Sequence, residues 1–285
     1  MKIALFGKTG QVASEVQRRA PEGVFVNAIG RDSADFTSPK MVQAIADSLD
    51  ADVIVNAVAY TAVDKAESEA DVATAVNNLS VAALAETAAR RSIPLIHIST
   101  DYVFDGTGTT PRAPDAPTAP LGVYGTTKLA GEAAIQAANG PFSILRTSWV
   151  FSAYGANFVK TMLRLGTERE QLSVVADQIG GPTSAASIAD AVLSIATSSG
   201  HKDNRGVFHF SGAPDVSWAD FAREIFKQAK LNVGVDDILT SAYPTPAKRP
   251  LNSRLDCESL LLEFGIDRPN WRKDLNNVLK ELGAT

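Results

Sequence analysis

Tyr124 and Lys128 stand four residues apart in Tyr124-Gly125-Thr126-Thr127-Lys128. On a helix, that spacing puts both side chains on one face. A free phenol has a pKa near ~10, too high for efficient proton exchange at neutral pH. A lysine ammonium beside it stabilises the phenolate and draws that value down. The pair can then give a proton to a developing alkoxide, or take one in reverse. The same lysine can hydrogen-bond a nicotinamide ribose. Tyr-x-x-x-Lys is common on surface helices, so it needs company. Thr100 provides it, at the end of an apolar run in Ser99-Thr100-Asp101-Tyr102-Val103-Phe104. A hydroxyl there can hydrogen-bond a substrate carbonyl oxygen and tune the proton transfer.

A second constellation concerns phosphate. Gly7-Lys8-Thr9-Gly10-Gln11-Val12-Ala13 follows a short apolar run and opens an amphipathic stretch. Between a strand and a helix, such a turn lets the backbone approach a pyrophosphate, which rests on the helix N-terminus. The expected cofactor contacts here are Gly7, Thr9, Gly10, Gln11 and Val12. Arg31, Asp35 and Phe36 follow the second apolar run. An arginine there favours the 2′-phosphate of NADP and an acid favours the ribose hydroxyl of NAD. Both types are present. NADPH is expected because Arg31 comes first, with NADH left open, and Asp35 is expected to face the adenine.

The elements that must hold these groups are legible as a rhythm. Apolar runs at Ile3–Phe6, Val24–Ile29, Val53–Val55, Leu95–Ile98 and Phe142–Leu145 alternate with helical stretches at Gln11–Ala20, Pro39–Leu49, Ala70–Arg91 and Tyr124–Ala138. Strands alternating with helices predict a parallel sheet covered on both faces. Continuous apolar strands fit burial on both sides. The fold class expected is α/β, a doubly wound parallel Rossmann sheet with a smaller α+β substrate-binding lobe. The sheet domain is assigned 1–149 plus about 176–212, and the lobe about 150–175 plus 213–285. Within the lobe, Ser217 is placed as the cap of a helix running to Ala229.

Composition narrows the classes. The chain has 285 residues, 45% hydrophobic and 21% charged, which excludes long disorder, collagen and coiled coil. A net charge of −5 lacks the basic excess of a general nucleic-acid binder. The single cysteine, Cys257, makes neither an internal disulfide nor a cysteine-based zinc site. The start of the chain reads as no signal peptide and no stretch as a membrane span, so a cytoplasmic protein is expected. His97 and His209 lie in apolar runs and are expected to be satisfied core residues, with His201 on a surface loop. The acids from Asp64 to Asp71 are read as a solvated helix start. No metal is expected.

Together with the turn at Gly7, the set of Thr100, Tyr124 and Lys128 resembles the extended short-chain dehydrogenase/reductases. Longer blocks narrow this: Val53 to Glu67, Ser99 to Phe104, Val123 to Glu132, Leu145 to Val150, Asp177 to Thr183 and Arg249 to Asp256. In order and nearly end to end, they resemble the dTDP-4-dehydrorhamnose reductase family. The resemblance implies hydride transfer from a reduced nicotinamide to C4 of a dTDP-4-keto sugar, with Tyr124 as proton donor, Lys128 lowering its pKa and Thr100 bonding the carbonyl oxygen. It implies Ala59, Tyr60 and Thr61 along the nicotinamide, Asp101 and Trp149 against the sugar nucleotide, and Arg249 at the diphosphate. Trp149 would offer an aromatic wall and an indole donor.

Two features depart from the family pattern. Ala13 stands where a glycine is usual. Some members build a magnesium site from glutamates at a dimer interface; Glu15 matches, but Ala186 stands where the second is expected. A hard cation wants several oxygens, so no tightly bound magnesium is expected, and the chain is expected as a monomer or weak homodimer. The competing assignments are another sugar-nucleotide epimerase or dehydratase of this superfamily, and a non-catalytic NADP-binding regulatory subunit.

Overall fold

Side chains alternate along the central strands, and both alternating sets are apolar. The computed structural model describes residues 1–198 and 205–285. His201 lies outside them. The strands are β1 (Lys2–Phe6), β2 (Phe25–Ile29), β3 (Val53–Asn56), β4 (Leu95–Thr100) and β5 (Phe142–Thr147), with a sixth at Arg205–His209. Ala4, Phe6, Ile54, Leu95 and Ile144 pack on one side. That layer holds α2 (Pro39–Ser48), α5 (Ser80–Arg90) and α6 (Val123–Ala138). Ile3, Leu5, Val53, Val55, Ile96 and Leu145 face the other layer, with α1 (Gln11–Arg19) and α8 (Ala185–Thr197). The shorter helices α3 (Val63–Ala66) and α4 (Ala70–Thr74) lead into α5, and α7 (Phe158–Glu168) follows β5.

All six strands are parallel, in the order β2-β1-β3-β4-β5 and then Arg205–His209. The chain reverses its direction of travel between β1 and β3. In such sheets ligands bind at the carboxyl ends of the strands beside that reversal. The glycine turn leaves β1 there, and Thr100 ends β4 two strands away.

A separate apolar cluster gathers Phe151, Val159, Met162, Leu172, Phe221, Ile225, Trp271 and Leu275. It is built from α7, α9 (Trp218–Gln228), a late helix at Trp271–Glu281 and the parallel pair Gln171–Val175 and Gly234–Ile238. Ser217 caps α9, its hydroxyl accepting from Asp220 N–H at 3.0 Å. Helix α10 (Glu258–Phe264) packs on the sheet, with Leu260 in its core and Phe264 edge-on to Phe208 at 5.2 Å. The reason is that its apolar face meets the outer strand Arg205–His209, which would otherwise stand uncovered on that side.

The helix expected from Ala70 to Arg91 is interrupted. Ala75–Leu79 forms a π turn between α4 and α5. Such a turn adds a residue to the coil and re-aims side chains, often at functional sites. Here it turns Asn77 inward. Asn77 Oδ1 accepts from Tyr60 N–H at 2.8 Å, and its Nδ2 donates to Tyr60 O at 3.2 Å and to Thr127 Oγ1 at 3.1 Å. One buried amide therefore ties the loop after β3 to α6.

Candidate active site

The turn after β1 is shaped for a dinucleotide. Gly7 has φ +114°, a conformation that favours glycine, and a Cβ there would sit 3.2 Å from the Ala13 methyl. Ala13 therefore fits against Gly7 with little to spare. Over Gly10 the space is open, since an added Cβ meets no atom within 4 Å. Helix α1 starts at Gln11 without a side-chain cap, so its first N–H groups remain for an anion. A cavity of about 730 Å³ runs from this turn past Arg31, Asp35 and Phe36 to Ala59 and Tyr60, with Thr9 on its wall. These observations fit a bound nicotinamide dinucleotide.

Around the adenine end, Asp35 accepts from Thr37 N–H at 2.9 Å and from Arg31 Nε at 3.3 Å. The Thr37 bonds hold its carboxyl below the usual range, with Arg31 adding to them. The Arg31 side chain is 80% exposed, so this pairing leaves it free to swing. Lys8 lies beside it on the same wall, a cation that the sequence reading passed over because lysine has no fixed place in the glycine motif.

A second cavity, about 580 Å³, adjoins the turn and collects Val12, Thr61, Thr100, Asp101, Tyr124, Lys128 and Trp149. Thr100 lies beside the Tyr124 phenol on this cavity, and its hydroxyl donates to Asp101 Oδ1 at 3.1 Å. Burial pushes that phenol up to about 12; Thr100 opposes the rise and Asp101 adds to it. The expected lowering by Lys128 is not part of this arrangement. The lysine nitrogen instead donates to Ile98 O at 2.7 Å and lies 3.1 Å from His97 Nε2. Asp101 is also buried, and burial lifts its carboxyl to about 6, opposed by the hydroxyls of Ser253 and Thr100. Its Oδ2 has no hydrogen-bond partner among the described residues, and neither has Thr147 Oγ1 on the same cavity. Orphaned buried oxygens at a cavity wall await a ligand's donors.

Trp149 has φ +50° and stacks on Trp218, with ring centroids 3.6 Å apart and planes 11° off parallel. The pair separates the second cavity from a third of about 670 Å³, lined by Tyr102, Phe158, Arg169, Gln178, Trp218 and Arg249 among others. Trp218 was missed because its partner lies far off in sequence. Gln11 Oε1 accepts from Ser152 and Asn157 at 3.0 Å each. Through that oxygen it ties the turn to the segment before α7. Arg249 is likewise engaged, donating to Asp64 Oδ2 at 2.7 Å and Oδ1 at 3.0 Å.

The acids around Asp64 are structural rather than merely solvated. Asp64 holds Arg249, Glu67 accepts from Val123 N–H at 2.9 Å and so caps α6, and Glu69 accepts from the Tyr60 hydroxyl at 2.5 Å. His97 and His209 are buried and hydrogen-bonded. Among the described residues no group of three or more His, Cys, Asp or Glu is placed to hold a metal, and no helix is long and apolar enough to cross a membrane.

A glycine turn at the reversal of a parallel sheet, with a Tyr-x-x-x-Lys helix and a β4 threonine beside it, defines the extended short-chain dehydrogenase/reductase class. Within it, the family model described as RmlD substrate binding domain matches residues 1–284. A dTDP-4-dehydrorhamnose reductase of Sinorhizobium fredii is 47% identical, over 98% of this chain and 97% of its own. One from Escherichia coli K12 is 44% identical over 100% and 99%. A solved dTDP-4-dehydrorhamnose reductase from Bacillus anthracis, in complex with NADP, superposes with a TM-score of 0.93 at 33% identity, over 98% of this chain and 99% of that one. The chain belongs to the dTDP-4-dehydrorhamnose reductase family.

Proposed function

We propose that this chain reduces the C4 keto group of dTDP-4-dehydro-6-deoxy-L-mannose to give dTDP-L-rhamnose, using NADPH. The observation that carries this reading is the meeting of Thr100, Tyr124 and Lys128 in one cavity that opens onto the glycine turn. When bound, NADPH supplies the hydride that adds to C4. Tyr124 gives its proton to the C4 oxygen, and Thr100, beside the phenol, bonds the same oxygen. A phenol raised to about 12 keeps its proton until an alkoxide, a stronger base, develops beside it. Lys128 lies one helical turn on, in reach of a ribose at the cavity edge. Asp101 Oδ2 accepts from a sugar hydroxyl, and Trp149 walls the sugar.

The third cavity takes the nucleotide. Arg249, fixed by Asp64, positions the proline-rich loop there and offers its guanidinium edge to the diphosphate. The exposed Arg31 pairs with the 2′-phosphate of NADPH, and Ala59, Tyr60 and Thr61 line the nicotinamide. One chain supplies every group named, so a monomer or weak homodimer suffices. The single buried Cys257 suits the reducing cytoplasm.

The test is loss of absorbance at the nicotinamide band, with dTDP-4-dehydrorhamnose supplied directly or through an epimerase. Tyr124→Phe is expected to lower kcat by on the order of 10² or more. A wild-type chain with no turnover on this substrate would remove the reading, and an unchanged rate in the variant would remove Tyr124 from it.

A further inference from the structure

Beneath the phenol, a line of three polar side chains crosses from β3 through β4 to α6. His97 stands in the middle of β4 with no exposed surface. On one side its Nδ1 lies 3.1 Å from Asn56 Nδ2, and on the other its Nε2 lies 3.1 Å from Lys128 Nζ. The Asn56 amide is itself oriented, because its Oδ1 accepts from Val58 N–H at 3.0 Å. Its NH₂ therefore faces the ring, and Nδ1 must accept. A neutral imidazole has one ring proton. With Nδ1 accepting, that proton is on Nε2 and points at the lysine nitrogen.

We propose that His97 is a positioning residue for Lys128: locked by Asn56 as the Nε2–H tautomer, it donates to Lys128 Nζ and favours the amine form of the lysine. An ammonium would set two donors face to face across 3.1 Å. An amine turns its lone pair to the ring and still donates to Ile98 O at 2.7 Å. The other groups around the lysine do not supply an equivalent contact. On α6 itself, Glu132 favours the ammonium, but Arg146 from β5 and Ser99 from β4 already claim its oxygens. Tyr124 on α6 and Asp101 after β4 are carried on the upper side, at the cavity. The π turn contributes only the neutral Asn77, and β3 only Asn56. Burial draws Lys128 down to about 8 against the pull of Glu132, and burial together with Lys128 holds the ring neutral.

The consequence rests on the reductase reading. The ketone gains a hydride at C4 and a proton from Tyr124 at its oxygen, leaving a phenolate. The ammonium of Lys128, its nitrogen held at Ile98 O and His97, returns a proton to the phenolate through a bridging water and becomes the amine that His97 stabilises. A proton taken up from solvent then restores the ammonium. Proton return from an ammonium of pKa about 8 to the phenolate of a phenol raised to about 12 runs downhill, and the lower the lysine's value the larger that drive.

Two measurements test this. Long-range ¹H–¹⁵N spectra of the histidine rings, with His97 assigned by its loss in His97→Gln, read the tautomer without substrate or cofactor. The Nε2–H form is expected from about pH 6 to about pH 9; an Nδ1–H form or a doubly protonated ring overturns the proposal. The pH profile of kcat then compares wild type, His97→Phe and His97→Gln. Losing the ring N–H in the phenylalanine variant raises the Lys128 pKa, so the alkaline limb is expected about one pH unit higher, with the substrate KM changed by less than about twofold. Glutamine restores an N–H near the Nε2 position and is expected to keep the wild-type limb. An unmoved limb in His97→Phe, or the same shift in both variants, overturns the proposal. Should His97→Phe not fold, the ring spectra decide. A wild type that turns over no keto sugar removes the proposed function instead, and leaves the tautomer result standing.

Discussion

Ionising a carboxyl inside a protein costs free energy unless hydrogen bonds and cations compensate. Asp101 is 3% exposed, and its carboxyl is lifted from 3.8 to about 6. The unfolded chain gives up this proton first as pH rises. Folding stability associated with Asp101 is therefore whole below about pH 4 and drains away between there and about pH 6. Asp101→Asn keeps an acceptor for Thr100 and removes the charge. It is expected to be more stable than wild type by about 1–3 kcal/mol at about pH 8, with the gap closing below about pH 4. Urea unfolding at both pH values measures it. A gap independent of pH would mean that the carboxyl titrates in the fold as it does in the unfolded chain. The same variant should turn over more slowly, because a sugar hydroxyl loses its anionic acceptor.

Helix α6 carries both Tyr124 and Lys128, so its seat matters more than its own propensity. Gly131 marks a close approach: a Cβ there would lie 2.2 Å from Asn77 O in the π turn. Backbone cannot yield as a flexible side chain does. Gly131→Ala is expected to destabilise by about 1–3 kcal/mol, as overpacking generally does, and to lower kcat by shifting the two side chains together. Thermal unfolding with steady-state kinetics on the folded fraction tests it; a stable variant with full activity would show that α6 has room to move. The π turn itself was beyond the sequence. Its alanine-rich flanks read as one long helix, and only the adjacent pair Asn77-Asn78 broke the apolar face. Asn77 selects the wider turn because Tyr60 and Thr127, 17 and 50 residues away, satisfy its amide there.

For the whole molecule, two buried histidines set the acid limit. Burial draws His209 down to about 3, with Arg146 adding to it, and His97 well below 6.5. Both stay neutral in the fold and gain a proton on unfolding. Their contribution is complete above about pH 6.5 and is lost as pH falls toward the folded values, at about 1.4 kcal/mol per pH unit for each ring. A measured slope between about pH 6 and about pH 4.5 near twice that figure, before other groups are counted, is expected from chemical denaturation. His209→Gln should remove half of it. A slope unchanged in that variant would mean the ring is already protonated in the native state.

The sequence by itself determined what is local or periodic. Short apolar runs alternating with helical stretches announced the strands, the spacing of Tyr124 and Lys128 announced a shared helix face, and Gly7 and Gly10 announced a tight strand-to-helix turn. Each needs only neighbours within a few residues. Tertiary structure alone decided the partners. His97 reads as a core residue until β4 sets it between Asn56 and Lys128, 41 and 31 residues distant. Arg249 reads as a phosphate ligand until Asp64 arrives from 185 residues away, and Trp149 gains its wall only where Trp218 stacks on it. Side-chain identity fixes which bonds a residue can make, but which of them it makes depends on the groups that chain packing brings within about 3 Å.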